Sequence, residues 1–247
     1  MKCIVLGTGE ATDPQRGSTS FVLQKDSTLL VDCGYAVPFS LLYSEELIER
    51  LDAIYLTHFH ADHTFGLPPT LLHIANCSRQ RPLKIIGQPG LKKYIQNLFN
   101  VGYSGLLRKL PFCIEYIETT TDYTLNELNL SFALTDHSSK NYAIKVSDGS
   151  KKIAISGDGQ LTDSSKDLFS DVSLLIHEAF MFDGNFAGHS SAVEVVEFAK
   201  SISSLKKLAL VHICRKELIM VENNIATLSK SLDAELLLPS PGDQILV

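Results

Sequence analysis

The sequence predicts a mixed α/β (α+β) chain folded as a four-layer αββα sandwich, and three observations carry that reading. Short apolar runs and helical periods follow one another in the order strands, helices, strands, helices. A β-then-α arrangement that occurs twice suits two sheets packed face to face with helices outside. No Pro-, Gly- or Ser-rich linker divides the blocks, so residues 1–247 read as one domain with ample length for a core. Hydrophobic residues make up 45% and charged residues 20%, which excludes a disordered or fibrous chain.

The elements follow in order. Residues 3–6 are an apolar run stopped by Gly7-Thr8-Gly9, a tight turn whose backbone N–H groups are a candidate phosphate contact. Residues 20–23 and 29–31 read as a hairpin, with the polar stretch 24–27 as its turn. Ser44, ahead of Glu45 and Glu46, reads as a helix cap before the strand at 53–56. His73 lies in an apolar, helix-like stretch and reads as a core or surface residue. Residues 89–99 place Leu91, Ile95, Leu98 and Phe99 on one helical face. Residues 112–117, 128–134, 141–146 and 152–155 form a second block of strands. The spacing then predicts a helix over 190–202 capped by Ser190, a buried strand at 208–211, a helix over 217–232 and a strand at 235–238.

Charge and cysteine usage narrow the partners. Lys plus Arg number 22 against 28 Asp plus Glu, so the net charge of −6 argues against a broad cationic nucleic-acid surface. No apolar run reaches 18 residues, and the apolar start is too short for a signal peptide; a membrane is not expected. Five widely spaced cysteines form no CxxC, which favours a reducing, cytoplasmic location.

The decisive segment is Thr57-His58-Phe59-His60-Ala61-Asp62-His63, directly after an apolar strand. His58 and His60 are two apart, so an extended chain projects both to one side. Asp62 and His63 follow as the chain turns, which lets one loop address two ions. Imidazole nitrogen and carboxylate oxygen suit borderline-soft ions such as zinc.

The segment from His58 to His63 resembles the signature of the metallo-β-lactamase fold superfamily. Asp136-His137, Ser156-Gly157-Asp158 and His212 then match its later ligands, each just past an apolar strand. The resemblance implies a dinuclear site of two divalent ions, zinc first, with manganese or iron(II) as alternatives. His58, His60 and His137 would hold one ion, Asp62, His63 and His212 the other, and Asp158 would bridge them.

Within the superfamily, Leu6-Gly7-Thr8-Gly9, Val31-Asp32-Cys33-Gly34, Gly66-Leu67-Pro68, His177-Glu178-Ala179-Phe180 and His189-Ser190-Ser191 are similar to ribonuclease Z. That similarity implies that His189 gives a proton to the leaving oxygen, with Glu178 orienting its ring. Asp62 would serve as ligand and as acceptor for the attacking water. A homodimer is implied by the same analogy. The chain departs from ribonuclease Z in lacking its long basic, glycine-rich arm, because His137 and Asp158 are only 21 positions apart. Gly157-Asp158-Gly159 and His212-Ile213-Cys214-Arg215-Lys216 differ from that family's pattern as well. These differences disfavour tRNA and favour a small phosphodiester or short RNA. The alternative is a carbonyl substrate (lactone, thioester or other ester) on the same ions. A partner-binding fold that has lost catalysis conflicts with seven intact ligands.

Of the remaining candidates, Asp32 reads equally as a partner of a ligand imidazole or as a strand-end turn. His177 reads as core or as a neighbour of the ligands. Cys214 reads as a neighbour of the pocket or as a buried thiol, and Arg215 and Lys216 as a grip on a substrate anion or as a solvated helix start.

Overall fold

Strand residues two apart share a face, so a strand buried on both sides must be apolar at every position. The computed structural model describes residues 1–41, 45–77 and 79–247, and it shows this pattern at the centre of both sheets. Ser44, expected as a helix cap, lies outside the described residues.

The first sheet contains β1 (Lys2–Gly7), β2 (Ser20–Gln24), β3 (Thr28–Val31), β4 (Leu51–Leu56), β5 (Leu83–Gly87) and β6 (Ile114–Glu118). The second contains β7 (Tyr123–Leu125), β8 (Leu128–Leu134), β9 (Tyr142–Ser147), β10 (Lys152–Ile155), β11 (Leu174–Glu178), β12 (Lys207–Val211) and β13 (Glu235–Leu237). Strand β14 (Gln244–Leu246) returns to the first sheet beside β1. The sheet orders are β14-β1-β2-β3-β4-β5-β6 and β13-β12-β11-β10-β9-β8-β7. Each sheet is antiparallel at one end and parallel at the other.

Alternation sorts the side chains into three apolar layers. Leu29, Val31, Ala53 and Tyr55 face Ile153, Ile155, Leu174, Ile176, Ala209 and Val211 between the sheets. The alternate residues Leu30, Ile54 and Leu56 face outward onto α1 (Val37–Leu41), α2 (Glu45–Arg50), α4 (Leu67–Asn76) and α5 (Leu91–Gly102), while the single turn α3 (Ala61–Thr64) adds no residue to this layer. On the other side Ala154, Leu175, Leu208 and Leu210 pack under α6 (Asp163–Phe169), α7 (Ala192–Ala199) and α8 (Leu218–Lys230). Full burial of such side chains contributes about 1.5–3 kcal/mol each before the entropy of ordering them. The result is the expected αββα sandwich.

The helix over 89–99 forms as α5, with Leu91, Ile95 and Phe99 buried. The cap of α7 is Ser191, whose hydroxyl accepts the Glu194 N–H at 3.2 Å, and not Ser190. The Ser190 N–H is instead used by a buried carboxylate, Glu178. His177 and Glu178 end β11 itself and do not follow it.

Candidate metal centre

The candidate residues gather where strands end. Thr57 and His58 follow the end of β4, and from His60 (φ −68°, ψ 156°) the chain enters the single turn of α3. His58 and His60 therefore lie together, their rings 4.7 Å apart, and Asp62 and His63 sit on the turn beyond. Asp136-His137 follows β8, Gly157-Asp158 follows β10, and His212 follows β12.

Two groups result, each offering four ligand atoms that lie within 4.8 Å of one another. One comprises His58, His60, His137 and Asp158, the other Asp62, His63, Asp158 and His212. The His60 Nδ1 and His137 Nε2 are 3.2 Å apart. The Asp158 Oδ2 is 3.7 Å from His58 Nε2, 3.8 Å from His137 Nε2 and 3.4 Å from His212 Nε2. Its Oδ1 is 3.4 Å from His63 Nε2. Asp62 Oδ2 lies 3.3 Å from His63 Nε2 and 3.5 Å from His212 Nε2. Ligand atoms of a tetrahedral zinc site, with bonds of about 2.1 Å, are about 3.4 Å apart. The Nε2 atoms of His58, His63 and His212 and the Oδ1 of Asp158 are buried with no hydrogen-bond partner among the described residues. Buried polar atoms without partners are costly, and cations held between them would satisfy them; the donor set fits two divalent ions.

Partners on the far side fix the tautomer of three rings, those of His58, His63 and His137. Asp32, at φ 61°, accepts the Thr57 N–H at 2.8 Å, the Thr57 hydroxyl at 2.9 Å and His63 Nδ1–H at 2.8 Å. Because the Thr57 hydroxyl donates to Asp32, it accepts from His58 Nδ1–H, 3.0 Å away. His137 Nδ1–H donates to the Gly188 carbonyl at 2.7 Å. In all three rings the Nε2 lone pair is left facing the cluster. Thr57 was not recognisable from sequence as part of this chain of bonds, although it adjoins the motif. Of the two readings of Asp32, the partner of a ligand imidazole is the one the geometry supports.

Electrostatics follow from burial and crowding. Burial, aided by the neighbouring His63, pushes the His58 imidazole well below its usual range. Burial also opposes charge on Asp158, but His212 and His63 outweigh it and hold that carboxyl well below the carboxylate range. Against its own burial, His212 is raised to about 9 by Asp158 and Asp62.

A third group, Glu178, His189 and His212, lies beside the other two. Glu178 is fully buried, and its oxygens are committed to hydrogen bonds. Oε1 accepts Gly159 N–H at 2.9 Å, Ser190 N–H at 3.2 Å and His189 Nδ1–H at 3.0 Å, and Oε2 accepts Phe180 N–H at 3.0 Å. The His189 ring stacks on Phe180 at 4.6 Å and lies 4.9 Å from the His137 ring and 5.7 Å from that of His212.

Other sequence candidates fall outside. The N–H groups of Thr8 and Gly9 bond to the carbonyls of Arg16 and Gly17, so they are not available to a phosphate. His177 is buried against Phe169 in the outer layer, and His73 sits on α4. Cys214 is half-buried, and Arg215 and Lys216 are exposed ahead of α8.

Comparison with known proteins agrees with this geometry. Residues 1–225 match the family described as Anti-Pycsar protein Apyc1. Ribonuclease Z of Clostridium kluyveri is 38% identical over 117 residues, which is 47% of this chain and only 37% of that protein. The metallo-β-lactamase fold protein YhfI from Bacillus subtilis superposes with a TM-score of 0.82 at 24% identity, covering 99% of this chain and 98% of that one. Human tRNase Z, short form, superposes at 0.79 with 25% identity, covering 100% of this chain and 99% of the other. The fold is thus the metallo-β-lactamase fold.

Proposed function

The chain belongs to the Anti-Pycsar protein Apyc1 family, and from that premise we propose that it is a metal-dependent hydrolase, a dinuclear phosphodiesterase acting on a small phosphodiester. The observation that carries the reading is a histidine pinned by a buried carboxylate beside two metal-ligand groups that share Asp158. His58, His60, His137 and Asp158 would hold one divalent ion, and Asp62, His63, Asp158 and His212 the other. Bound there, two such ions supply a water of lowered pKa and offset charge on the phosphoryl oxygens. Zinc is the expected metal.

The chain's own residues complete the reaction. Glu178 accepts from His189 Nδ1–H and so orients the ring, whose Nε2 is the atom that gives a proton to the leaving oxygen. Phe180 holds that ring flat from one side. Asp62 would hold an ion and accept a hydrogen bond from the attacking water. The segment joining His137 to Asp158 consists of β9, β10 and short turns, which leaves no clamp for a folded tRNA. Cyclic or nucleoside diesters and short RNA ends are the substrates that fit. The similarity to ribonuclease Z supports the class of bond cleaved, and a homodimer is carried over with it. Five widely spaced cysteines with no CxxC favour a reducing, cytoplasmic location. No helix among the described residues is long and apolar enough to cross a membrane.

The test is hydrolysis of bis(p-nitrophenyl) phosphate by metal-loaded protein, beside a lactone and a thioester. Diester cleavage that falls by about 10³-fold in Asp158→Ala is the expected result. Turnover of an ester without the diester would replace this reading with a carbonyl hydrolase.

A further inference from the structure

The shared carboxylate sits on a piece of chain that the sheet does not hold. Strand β10 ends at Ile155, and Asp158 stands between Gly157 at φ +61° and Gly159 at φ +118°. Two side chains from neighbouring strand ends grip it instead. Asn141, fully buried, accepts the Asp158 N–H on Oδ1 at 3.1 Å and donates from Nδ2 to the Ser156 carbonyl and the Thr135 hydroxyl, both at 2.8 Å. The Thr135 hydroxyl in turn donates to the Asp158 carbonyl at 2.5 Å. The donors run one way round a closed ring: Asp158 N–H, Asn141 amide, Thr135 hydroxyl, Asp158 carbonyl. Both glycines are needed where the ring passes. A Cβ at Gly157 would stand 2.3 Å from Asn141 Oδ1, and one at Gly159 would stand 2.4 Å from Thr135 Oγ1.

We propose that Asn141, with Thr135, is a positioning residue that sets Asp158 so that its carboxylate reaches both ligand groups at once. The proposal rests on the reading of Asp158 as the shared ligand. The carboxylate has little tolerance, because its Oδ1 must stay near His63 while its Oδ2 stays near His58, His137 and His212. Functional groups of this kind must be held to within about 0.5 Å. Only an amide satisfies the ring at residue 141. Aspartate has the same shape but no hydrogens for Ser156 or Thr135, and two carbonyl-type oxygens would then face each other. Serine does not reach.

The experiment is metal titration of folded protein, without substrate: ions per chain after dialysis, chelator competition, and the absorption of the cobalt(II)-loaded form. Asn141→Asp is expected to keep one ion and to bind the second about 10–100-fold more weakly. Thr135→Val, which removes only the hydroxyl, is expected to weaken the same ion by a smaller factor, and it carries the test if Asn141→Asp does not fold. Wild-type affinity for both ions in whichever of these variants folds overturns the proposal. So does thermal destabilisation that is equal with and without metal, since that is the mark of a purely structural residue. Wild-type protein that binds fewer than two ions removes the reading beneath it. Metal binding and diester turnover are read separately, so the clamp can fail while hydrolysis stands, and hydrolysis can fail while the clamp stands.

Discussion

The two ligand groups share Asp158 but are built differently. In the group of Asp62, His63, Asp158 and His212 every residue is buried, whereas His60 and His137 of the other group are partly exposed. The rings are also braced by unlike partners. His63 donates to the carboxylate of Asp32, but His58 and His137 donate to a neutral hydroxyl and a neutral carbonyl. A charged acceptor makes the imidazole a stronger donor to the metal. The buried group is therefore the better candidate for a tightly held ion, and the open group for the ion that meets substrate and exchanges.

Four experiments break or sharpen this contrast. The largest effect is expected outside both groups: His189→Ala should lower kcat on a phosphodiester by about 10²–10³-fold with two ions still bound. Loss of an ion in that variant would mean that His189 is a ligand. Next is Asp32→Asn, which keeps shape and a residue type tolerant of left-handed backbone. It should weaken the buried ion about 10–100-fold and leave the other unchanged; equal weakening of both would erase the contrast. The effect of pH is smaller. His212, raised to about 9 by Asp158 and Asp62, must lose its proton to bind metal. Affinity for the buried ion should rise with pH by up to about tenfold per unit and level off above about 9. In metal-free protein the sign reverses. The stability that the raised His212 contributes is full below its ordinary value of 6.5 and is lost as pH rises through about 9. Chelator competition and denaturant unfolding across that range measure the two trends.

Much of this architecture was legible because its signals are local. Three imidazoles and a carboxylate between His58 and His63 announce a metal loop without any long-range information. His137, Asp158 and His212 were legible because each follows an apolar strand, and the family resemblance fixed their order. Other features depend on partners distant in sequence. Asn141 reads as the first residue of a strand, yet it lies just outside β9 and spends its amide on Thr135, Ser156 and Asp158. The Gly7-Thr8-Gly9 turn offers free N–H groups only until Arg16 and Gly17 come into reach. Strands such as β5, β7 and β14 are short, and they are strands because a neighbour pairs with them. The cap of α7 falls to Ser191 because the Ser190 hydroxyl donates to the distant Gly159 carbonyl.

The left-handed backbone of Asp32 (φ 61°) has a counterpart at His212 (φ 54°), and both residues serve the buried group. A side chain other than glycine pays roughly 1 kcal/mol for that conformation. Robustness is thus given up at the candidate metal centre, and the conformational cost of each candidate ligand can be measured separately from any role in binding. In metal-free protein His212→Gly should unfold at higher denaturant than His212→Ala, by about 1 kcal/mol, although both have lost the same imidazole. Part of the margin by which this fold survives has been exchanged for the angle at which one histidine leaves its strand.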